Sequence, residues 1–302
     1  MIPMVKEPNN RGTIELRYGK ARRFFGSFII HPDPGEDPFG FKDKMTMKIF
    51  VCVKHVPDTA ATIKLAGENG YEDGEIKFVS NPYDEFGIEE AVSIVEKQGG
   101  EVVILTVGKA DAAATMRGAM AMGAHRGILV KTESQFLDSG LTARALKTAI
   151  DQDGAGDMIF TGKGSVDTES FQTQYRLAKL LGVPVVNEVS TLNLDGNKAV
   201  ARRETGGGEK QVLEFGLPCV IGATKGLNEP RYPKFPDIMK AKKKELREID
   251  LAGLGIDADA GSVELEKLEI VPERSGAVML EGTIDDQVTE LVRVLKEEEK
   301  VI

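Results

Sequence analysis

The sequence has few of the residues and motifs that catalytic and metal centres use. Its 302 residues include two cysteines, Cys52 and Cys219, and three widely separated histidines, His31, His55 and His125. A GxxxxGKS/T loop, a GxGxxG after a first strand, GxSxG and HExxH are all absent. The cysteines stand inside apolar runs without metal-binding or disulfide spacing, so we expect them to be reduced and buried. Neither a metal site nor a catalytic residue is predicted.

Excess positive charge and long apolar runs are missing as well. The formal net charge of -9 argues against a nucleic-acid partner, because phosphate-backbone affinity needs clustered, uncompensated Lys and Arg. The basic run at residues 240–244 is followed at once by Glu245 and Glu248, which is typical of a solvated surface. No apolar stretch approaches the roughly 20 residues of a membrane-spanning helix. We therefore predict a soluble, bacterial-type cytoplasmic protein without direct membrane insertion.

Residues 1–46 differ in composition from the rest of the chain. They mix arginines with Glu7 and Glu15 and continue into an acidic, proline-rich stretch, which fits neither a signal peptide nor a transit peptide. We expect a disordered extension over residues 1–46 and a nucleotide-binding α/β domain over residues 47–250. Residues 251–302 are predicted to form a C-terminal linker and a partner-docking helix.

From residue 48 onwards, short apolar runs alternate with amphipathic stretches, which predicts a mostly parallel, Rossmann-like sheet flanked by helices. The predicted strands cover residues 48–54, 76–80, 101–107, 127–131, 157–161, 202–208 and 213–224, with a hairpin at Asp195-Gly196. The predicted helices cover residues 110–122, 139–152 and 168–181, and a further helix carries Ile88, Ala91, Val92 and Val95 on one face. A last helix is capped by Thr283 and carries an apolar stripe of Ile284, Val288, Leu291, Val292 and Leu295. This stripe packs either on its own domain or on a partner subunit.

The segment between the predicted strand 157–161 and the helix 168–181 is the most informative local feature. Its small residues let a ligand approach the backbone, while Ser170, Gln172 and Thr173 offer hydrogen-bond donors. A helix N-terminus at the carboxyl end of a parallel strand favours a phosphate group. The alternative is an ordinary glycine-rich turn capped by Asp167.

Two further loops, residues 54–59 and 107–109, follow strands at the same edge of the predicted sheet. Three such loops together favour a nucleotide cleft more than one loop does. His55 either faces this ligand or is a structural histidine. Tyr83, at the start of a predicted helix, is either an exposed aromatic side chain or a packing residue at the core edge.

Several motifs in the same order resemble the β subunit of electron-transfer flavoproteins, over about residues 47–244. They are Asn81-Pro82-Tyr83-Asp84-Glu85, residues 119–124, residues 202–208 followed by 217–221, and residues 227–232 continuing through 238–244. The resemblance implies a sheet of the adenine nucleotide alpha hydrolase-like kind. It also implies a heterodimer in which the α subunit carries the redox FAD and this chain holds a structural AMP. The implied donors are acyl-CoA-type dehydrogenases, as in fatty acid oxidation, and the implied acceptor is a membrane quinone oxidoreductase.

The cleft loops and the resemblance together predict the site residues. The cofactor-binding set is Val53, Lys54, His55, Val56, Tyr83, Val107, Gly108, Gly162, Lys163, Val166, Asp167, Ser170, Phe171, Gln172 and Thr173. The partner-docking set is Arg231, Tyr232, Phe235, Ile238 and Met239, with Phe235 as an exposed apolar anchor rather than a residue of its own core. Glu204 corresponds to a position that places the flavin domain.

Two other functions remain open on the sequence. Residues 56–59 are also found in family members that bind a second FAD and NADH and split electron pairs, and Phe171 and Gln174 depart from the usual AMP loop. A stand-alone adenine-nucleotide-binding module is the other alternative. In the main interpretation the chain is an electron-carrier subunit rather than an enzyme, since the redox chemistry belongs to FAD.

Overall fold

The computed structural model describes residues 14–17, 47–257, 260–263, 265–271 and 276–302, with only the backbone described for the first of these segments. The chain divides into two compact units, Met1–Glu266 and Lys267–Ile302. Apart from Ile14–Arg17, which forms a strand, the predicted extension lies outside the described residues. Parts of the predicted C-terminal linker do so too.

Six α-helices and fourteen strands occur in the described residues. The strands are β1 Ile14–Arg17, β2 Met47–Cys52, β3 His55–Pro57, β4 Leu65–Ala66, β5 Gly70–Tyr71, β6 Phe78–Ser80, β7 Gly100–Gly108, β8 Arg126–Lys131, β9 Met158–Gly162, β10 Val185–Asp195, β11 Lys198–Gly206, β12 Glu209–Gly216, β13 Cys219–Ala223 and β14 Leu246–Asp250. The helices are α1 Pro82–Gln98, α2 Ala112–Ala121, α3 Ser139–Asp153, α4 Thr173–Leu181, α5 Phe235–Ala241 and α6 Ile284–Arg293.

Ten strands form one sheet in the order β1-β12-β11-β10-β13-β9-β2-β7-β8-β14. Within the described residues, β11 is the strand that runs antiparallel to its neighbours, and every other pairing in this sheet is parallel. The mostly parallel α/β sheet predicted from the alternating pattern is therefore confirmed. The hairpin at Asp195-Gly196 is confirmed as well, and Gly196 there has the positive φ of 57° that a tight turn needs.

Both faces of the sheet are covered, because successive side chains of a strand point to opposite faces. On β2, Ile49 and Val51 join the cluster that includes α1 and α2, whereas Phe50 joins the cluster that includes α3 and α4. Both cysteines are free, as predicted: Cys219 is buried and Cys52 is partly buried. Burial raises the pKa of the Cys219 thiol to about 12.

Three element predictions were wrong. Helix α4 begins at Thr173 instead of 168, because Glu169 and Phe171 have positive φ angles that a right-handed helix cannot include. Residues 213–224 do not form one strand: a cis Leu217-Pro218 bond separates β12 from β13. The strand predicted at 202–208 is not a separate strand: residues 202–206 belong to β11, and residues 207–208 form the turn into β12. In addition, strand β14 and helix α5 were not predicted.

The basic run at 240–244 is only partly a solvated surface. Lys244 is half-buried, and its Nζ donates to the carbonyls of Met120 at 2.9 Å and Ala124 at 2.6 Å. Burial lowers the pKa of this ammonium group. A short 3-10 helix, Leu251–Leu254, also buries its two leucines in the core, four residues beyond the domain boundary predicted at 250.

The second unit carries α6, followed by a short π-helical turn at Val294–Glu298. Thr283 caps α6 as predicted, in a reciprocal capping box with Asp286. The apolar residues Ile284, Val288, Leu291 and Val292 are exposed. Among the described residues no helix has the length and apolar character needed to cross a membrane.

Candidate functional site

A cavity of about 410 Å³ opens at the carboxyl ends of β2, β7 and β9. The chain passes from β2 through α1 to β7 and from β7 through α2 to β8, and both helices lie on one face of the sheet. The next two helices, α3 and α4, lie on the other face. The pair β2 and β9 is therefore the point at which the winding of the sheet reverses. Ligands of doubly wound α/β proteins bind at such a point.

Most of the predicted cofactor residues meet at this cavity. Its lining includes Val53, Lys54, His55, Val107, Gly108, Gly162, Asp167, Ser170, Phe171, Gln172 and Thr173. Val56, whose side chain is fully buried on β3, is not among the lining residues. Val166, Lys163 and Tyr83 lie outside the lining as well, although they belong to the same loop or to α1.

Residues 163–172 form an extended loop whose backbone is turned by two left-handed residues. Glu169 has a φ of 46° and Phe171 a φ of 49°, both uncommon for residues with a side chain. Gln172, next in the chain, is right-handed, with φ -115° and ψ -28°. Such a left-handed and right-handed pair turns successive N–H groups towards one concave anion-binding surface. Helix α4 follows without any side-chain hydrogen bond at its N-cap, so Asp167 does not cap it.

Buried polar side chains hold this loop from below. Asn81 donates to the carbonyl of Gly164 at 2.9 Å and accepts from the N–H of Val166 at 3.2 Å. Gln174 and Asn187 both donate to the carbonyl of Lys163, at 2.9 and 3.1 Å. All three amide side chains are buried, and each joins the loop to a different element of the fold. The sequence interpretation gave none of them this role.

Gly164 explains why the loop needs a small residue at its centre. An added Cβ would lie 2.3 Å from Cδ1 of Phe171, so the aromatic ring packs directly against the glycine backbone. The side chain of Phe171 is thereby built into the loop. It remains 39% exposed at the cavity.

Asp84 is a buried carboxyl directly below the cleft. Its Oδ1 accepts from the N–H of Gly162 at 2.8 Å and from Nδ2 of Asn81 at 2.9 Å, and its Oδ2 accepts from the N–H of Lys54 at 2.7 Å. Burial raises the pKa of Asp84 to about 7, although these hydrogen bonds oppose the shift. In the motif at residues 81–85 the sequence interpretation gave a site role to Tyr83 alone, but the motif also supplies two supporting side chains, Asn81 and Asp84.

Lys54, just beyond the carboxyl end of β2, places its ammonium group against the loop. Its Nζ lies 2.7 Å from a carboxylate oxygen of Asp167 and 3.4 Å from the hydroxyls of Ser165 and Thr168. The pair is partly exposed, so its contribution to stability is small. Its importance is geometric, because it sets a positive charge beside the concave backbone.

Tyr83 and Lys163 contact each other beside the cavity. The Nζ of Lys163 lies 4.9 Å from the centroid of the Tyr83 ring, a cation–π contact. Tyr83 is partly buried, between the exposed and packed alternatives that the sequence left open.

His55 has the surroundings of a structural histidine at the edge of the cavity. Its ring stacks on Phe78 with centroids 4.4 Å apart, and Nδ1 lies 2.7 Å from the Thr115 hydroxyl. Burial lowers the pKa of His55, while the charge of Asp111 offsets part of the shift. The imidazole also lines the cavity, so the two alternatives are not exclusive.

One wall of the cavity was missed by sequence reasoning. The side chain of Gln135 makes two hydrogen bonds with the backbone of Tyr71 on β5. Its Nε2 donates to the carbonyl of Tyr71 at 3.0 Å, and its Oε1 accepts from the N–H of Tyr71 at 3.1 Å. Asp73 pairs with Lys109 at 2.6 Å, and Phe136 meets the Tyr71 ring edge-on at 5.8 Å. Residues 69–74 have turn composition, which gave no signal that they pack on a distant loop.

The predicted docking residues form an exposed apolar surface, with one exception. Tyr232 is 97% exposed and Phe235 is 74% exposed, and Ile238 and Met239 are also exposed. Phe235 begins helix α5 and is not folded into the core. Arg231 instead turns towards α1, where it contacts Glu89 and Glu96. Residues 232–239 are called the apolar surface below.

Glu204 lies near the tip of the β11–β12 hairpin, where its side chain is exposed. Its Oε1 is 3.2 Å from Nζ of Lys210 on the facing strand. This exposed pair is weak, so the carboxylate is free to exchange partners.

The fold and its cleft define the chain as a Rossmann-like α/β protein with a backbone cradle at the switch point of the sheet. A family model described as "Electron transfer flavoprotein domain" matches residues 70–254. The "Electron transfer flavoprotein subunit beta" of Bacillus subtilis is 35% identical, and that of Bradyrhizobium diazoefficiens 37% identical. The mitochondrial "Electron transfer flavoprotein subunit beta" of Arabidopsis thaliana is 38% identical. Each match covers 85% of this chain and 100% of the relative. The chain therefore belongs to the electron transfer flavoprotein family, among its β subunits.

Proposed function

We propose that this chain pairs with an α subunit that carries FAD, and that it holds a structural AMP in its own cleft. Electrons would pass from acyl-CoA-type dehydrogenases through the FAD to a further acceptor such as a membrane quinone oxidoreductase. The proposal of a bound nucleotide rests on one observation, the backbone of residues 169–173. Glu169 and Phe171 have positive φ angles there, and α4 begins without a side-chain cap.

The loop has the properties that a phosphate group requires. The positive φ of Phe171, followed by right-handed Gln172, is a backbone pairing that directs successive N–H groups to one concave surface. The N-terminus of α4 adds its unpaired donors and the positive end of a dipole. Lys54 supplies a nearby positive charge, which Asp167 neutralises. A bound phosphate would compete with Asp167 for this ammonium group.

The rest of the cavity suits a nucleoside. Val107, Leu137 and Leu146 give it an apolar wall, and the side chains of Thr132 and Gln135 supply polar groups beside that wall. A volume of about 410 Å³ is within the range of small-molecule sites, which combine apolar walls with a few polar groups. These residues therefore fit an adenosine monophosphate.

The flavin would lie outside this cavity, against Tyr83 and Lys163. FAD supplies the redox chemistry when it is bound, and the protein positions it and excludes competing reactions. The ring of Tyr83 would give the flavin a flat wall, and the ammonium group of Lys163 would place a positive charge next to that ring. Glu204 is proposed to help place the flavin domain, and α6 to dock on the α subunit through its exposed apolar stripe.

The nucleotide content of the purified heterodimer tests this proposal. After denaturation, we expect one AMP and one FAD for each heterodimer. Two FAD and no AMP would refute the structural AMP and favour the alternative, in which this chain binds a second FAD and splits electron pairs. FAD without a second nucleotide would refute a nucleotide in the cleft. The chain expressed alone should be poorly stable, because an obligate subunit gains stability from its partner.

A further inference from the structure

The apolar surface is short and strongly exposed, yet its backbone is fixed at both ends. Before it, Asn228 donates through Nδ2 to the carbonyl of Phe86 at 3.0 Å and to Oε2 of Glu90 at 2.9 Å. After it, Arg117 of α2 donates to the carbonyl of Ala241 at 2.8 Å. A surface anchored in this way loses little conformational entropy when a partner binds.

Arg231 is the anchor nearest to the apolar surface. Its Nε and Nη2 reach the two carboxylate oxygens of Glu89 at 2.8 and 2.9 Å, and Nη1 and Nη2 reach those of Glu96 at 2.6 and 3.0 Å. The backbone N–H of Arg231 also donates to Glu89, at 3.1 Å. All three guanidinium nitrogens are thus engaged by α1.

Glu89 is the buried carboxylate of this contact. The Glu89 side chain is 10% exposed, so a carboxylate there needs a paired cation. Burial alone would raise the pKa of Glu89, but the hydrogen bonds and charge of Arg231 outweigh it and hold the pKa below its usual range. The planar guanidinium forks onto two carboxylates at once, a geometry that lysine cannot reproduce.

We propose that Arg231 is a positioning residue for partner recognition: it holds the apolar surface in its binding-ready orientation against α1 and does not itself contact the partner. This inference rests on the proposed docking of a dehydrogenase at Tyr232 and Phe235. It reassigns Arg231, which the sequence placed among the docking contacts, because all three of its guanidinium nitrogens are engaged by Glu89 and Glu96 of α1.

The test uses the intact heterodimer with four variants of this chain. Arg231→Gln removes both forks, Arg231→Lys keeps the charge without the fork, and Phe235→Ala removes the proposed anchor. Arg247→Gln is the matched control, since Arg247 is an exposed arginine of β14 that contacts Gln152 and not the apolar surface. The electron donor is the acyl-CoA dehydrogenase that reduces the wild-type heterodimer fastest among a purified panel, used with its acyl-CoA substrate.

We expect Arg231→Gln to raise the KM for the heterodimer about 5- to 10-fold, while kcat changes less than about twofold. Amide hydrogen exchange in residues 232–241 should become faster, on the order of tenfold. Arg231→Lys should give intermediate values, and Arg247→Gln should match the wild type. FAD content should be normal in all four variants.

The outcomes separate the positioning role from the docking proposal. If Phe235→Ala raises KM while Arg231→Gln does not, the positioning role is refuted and docking at Phe235 stands. An unchanged exchange rate in residues 232–241 of Arg231→Gln would refute it as well. If Phe235→Ala leaves KM unchanged, the docking surface itself is wrong, and the inference falls with it.

Discussion

Asp84 and Gly162 are joined by a hydrogen bond of 2.8 Å from the glycine N–H to the carboxyl Oδ1, at the point where β9 ends. The other oxygen of Asp84 accepts from the N–H of Lys54, just beyond the end of β2. One buried side chain from the first turn of α1 therefore ties together the ends of the two strands that flank the switch point. We therefore expect the spacing of the cleft to depend on this contact.

Gly162→Ala should disturb that contact directly. An added Cβ would lie 2.5 Å from Oδ1 of Asp84 and 2.7 Å from Cβ of Tyr83, and neither neighbour is a flexible chain end. We expect the free energy of unfolding to fall by about 1–3 kcal/mol, as for overpacked cores. Urea denaturation of the heterodimer at a fixed concentration measures this change.

Gly118→Ala is the matched control for that substitution. Gly118 lies on the exposed side of α2, and an added Cβ there meets nothing within 4 Å. Alanine should stabilise the helix by up to about 1 kcal/mol. Equal stability of Gly162→Ala and the wild type would mean that α1 shifts without cost and that Asp84 does not fix the strand ends.

Asp84→Asn keeps the size of the side chain and removes its ionisation. We expect lower stability than the wild type, by about 1–3 kcal/mol, because the amide cannot accept from all three donors. Burial raises the pKa of Asp84 from 3.8 to about 7, so the folded state binds the proton more tightly than the unfolded state. The contribution of this group to stability is therefore lost as the pH rises from about 4 to about 7.

The difference in stability between the wild type and Asp84→Asn should accordingly narrow as the pH approaches 7. Denaturation series at several pH values between about 4.5 and 8 provide the measurement. Asp195→Asn serves as control, since Asn-Gly also fits the tight turn at this exposed position. A difference that widens towards neutral pH would show that the three hydrogen bonds outweigh burial at Asp84.

The main sheet and the edge that carries the cleft were predictable, because both follow from local periodicity. Apolar runs such as β2 and β7 have nearly continuous burial, and the glycines after β9 mark where a strand meets a turn. Strand carboxyl ends meet at one edge in any parallel sheet. Hence the strand pattern alone assigns Lys54, Gly108 and Gly162 to one cleft.

The conformation of the cleft loop was not predictable in the same way. Asp167 and Thr168 have the composition of a helix start, but the carbonyls and N–H groups of the loop are bound by Asn81 and Asn187, which are distant in sequence. These contacts favour a loop over another helical turn. Tyr71 and Gln135 were missed for the same reason, because turn composition carries no information about distant partners.

Leu291→Asp tests the partner-docking role proposed for α6. Leu291 is 47% exposed, within a stripe that also includes Val288 and Val292, and burying an unpaired carboxylate at an interface is costly. We expect the dissociation constant of the heterodimer to rise by about 30-fold or more, as for a central interface residue. Thr289→Asp adds the same charge to the same helix off the stripe and should assemble normally. Sedimentation of mixed subunits compares the two variants, and equal assembly by Leu291→Asp and Thr289→Asp would mean that the stripe does not bind the α subunit.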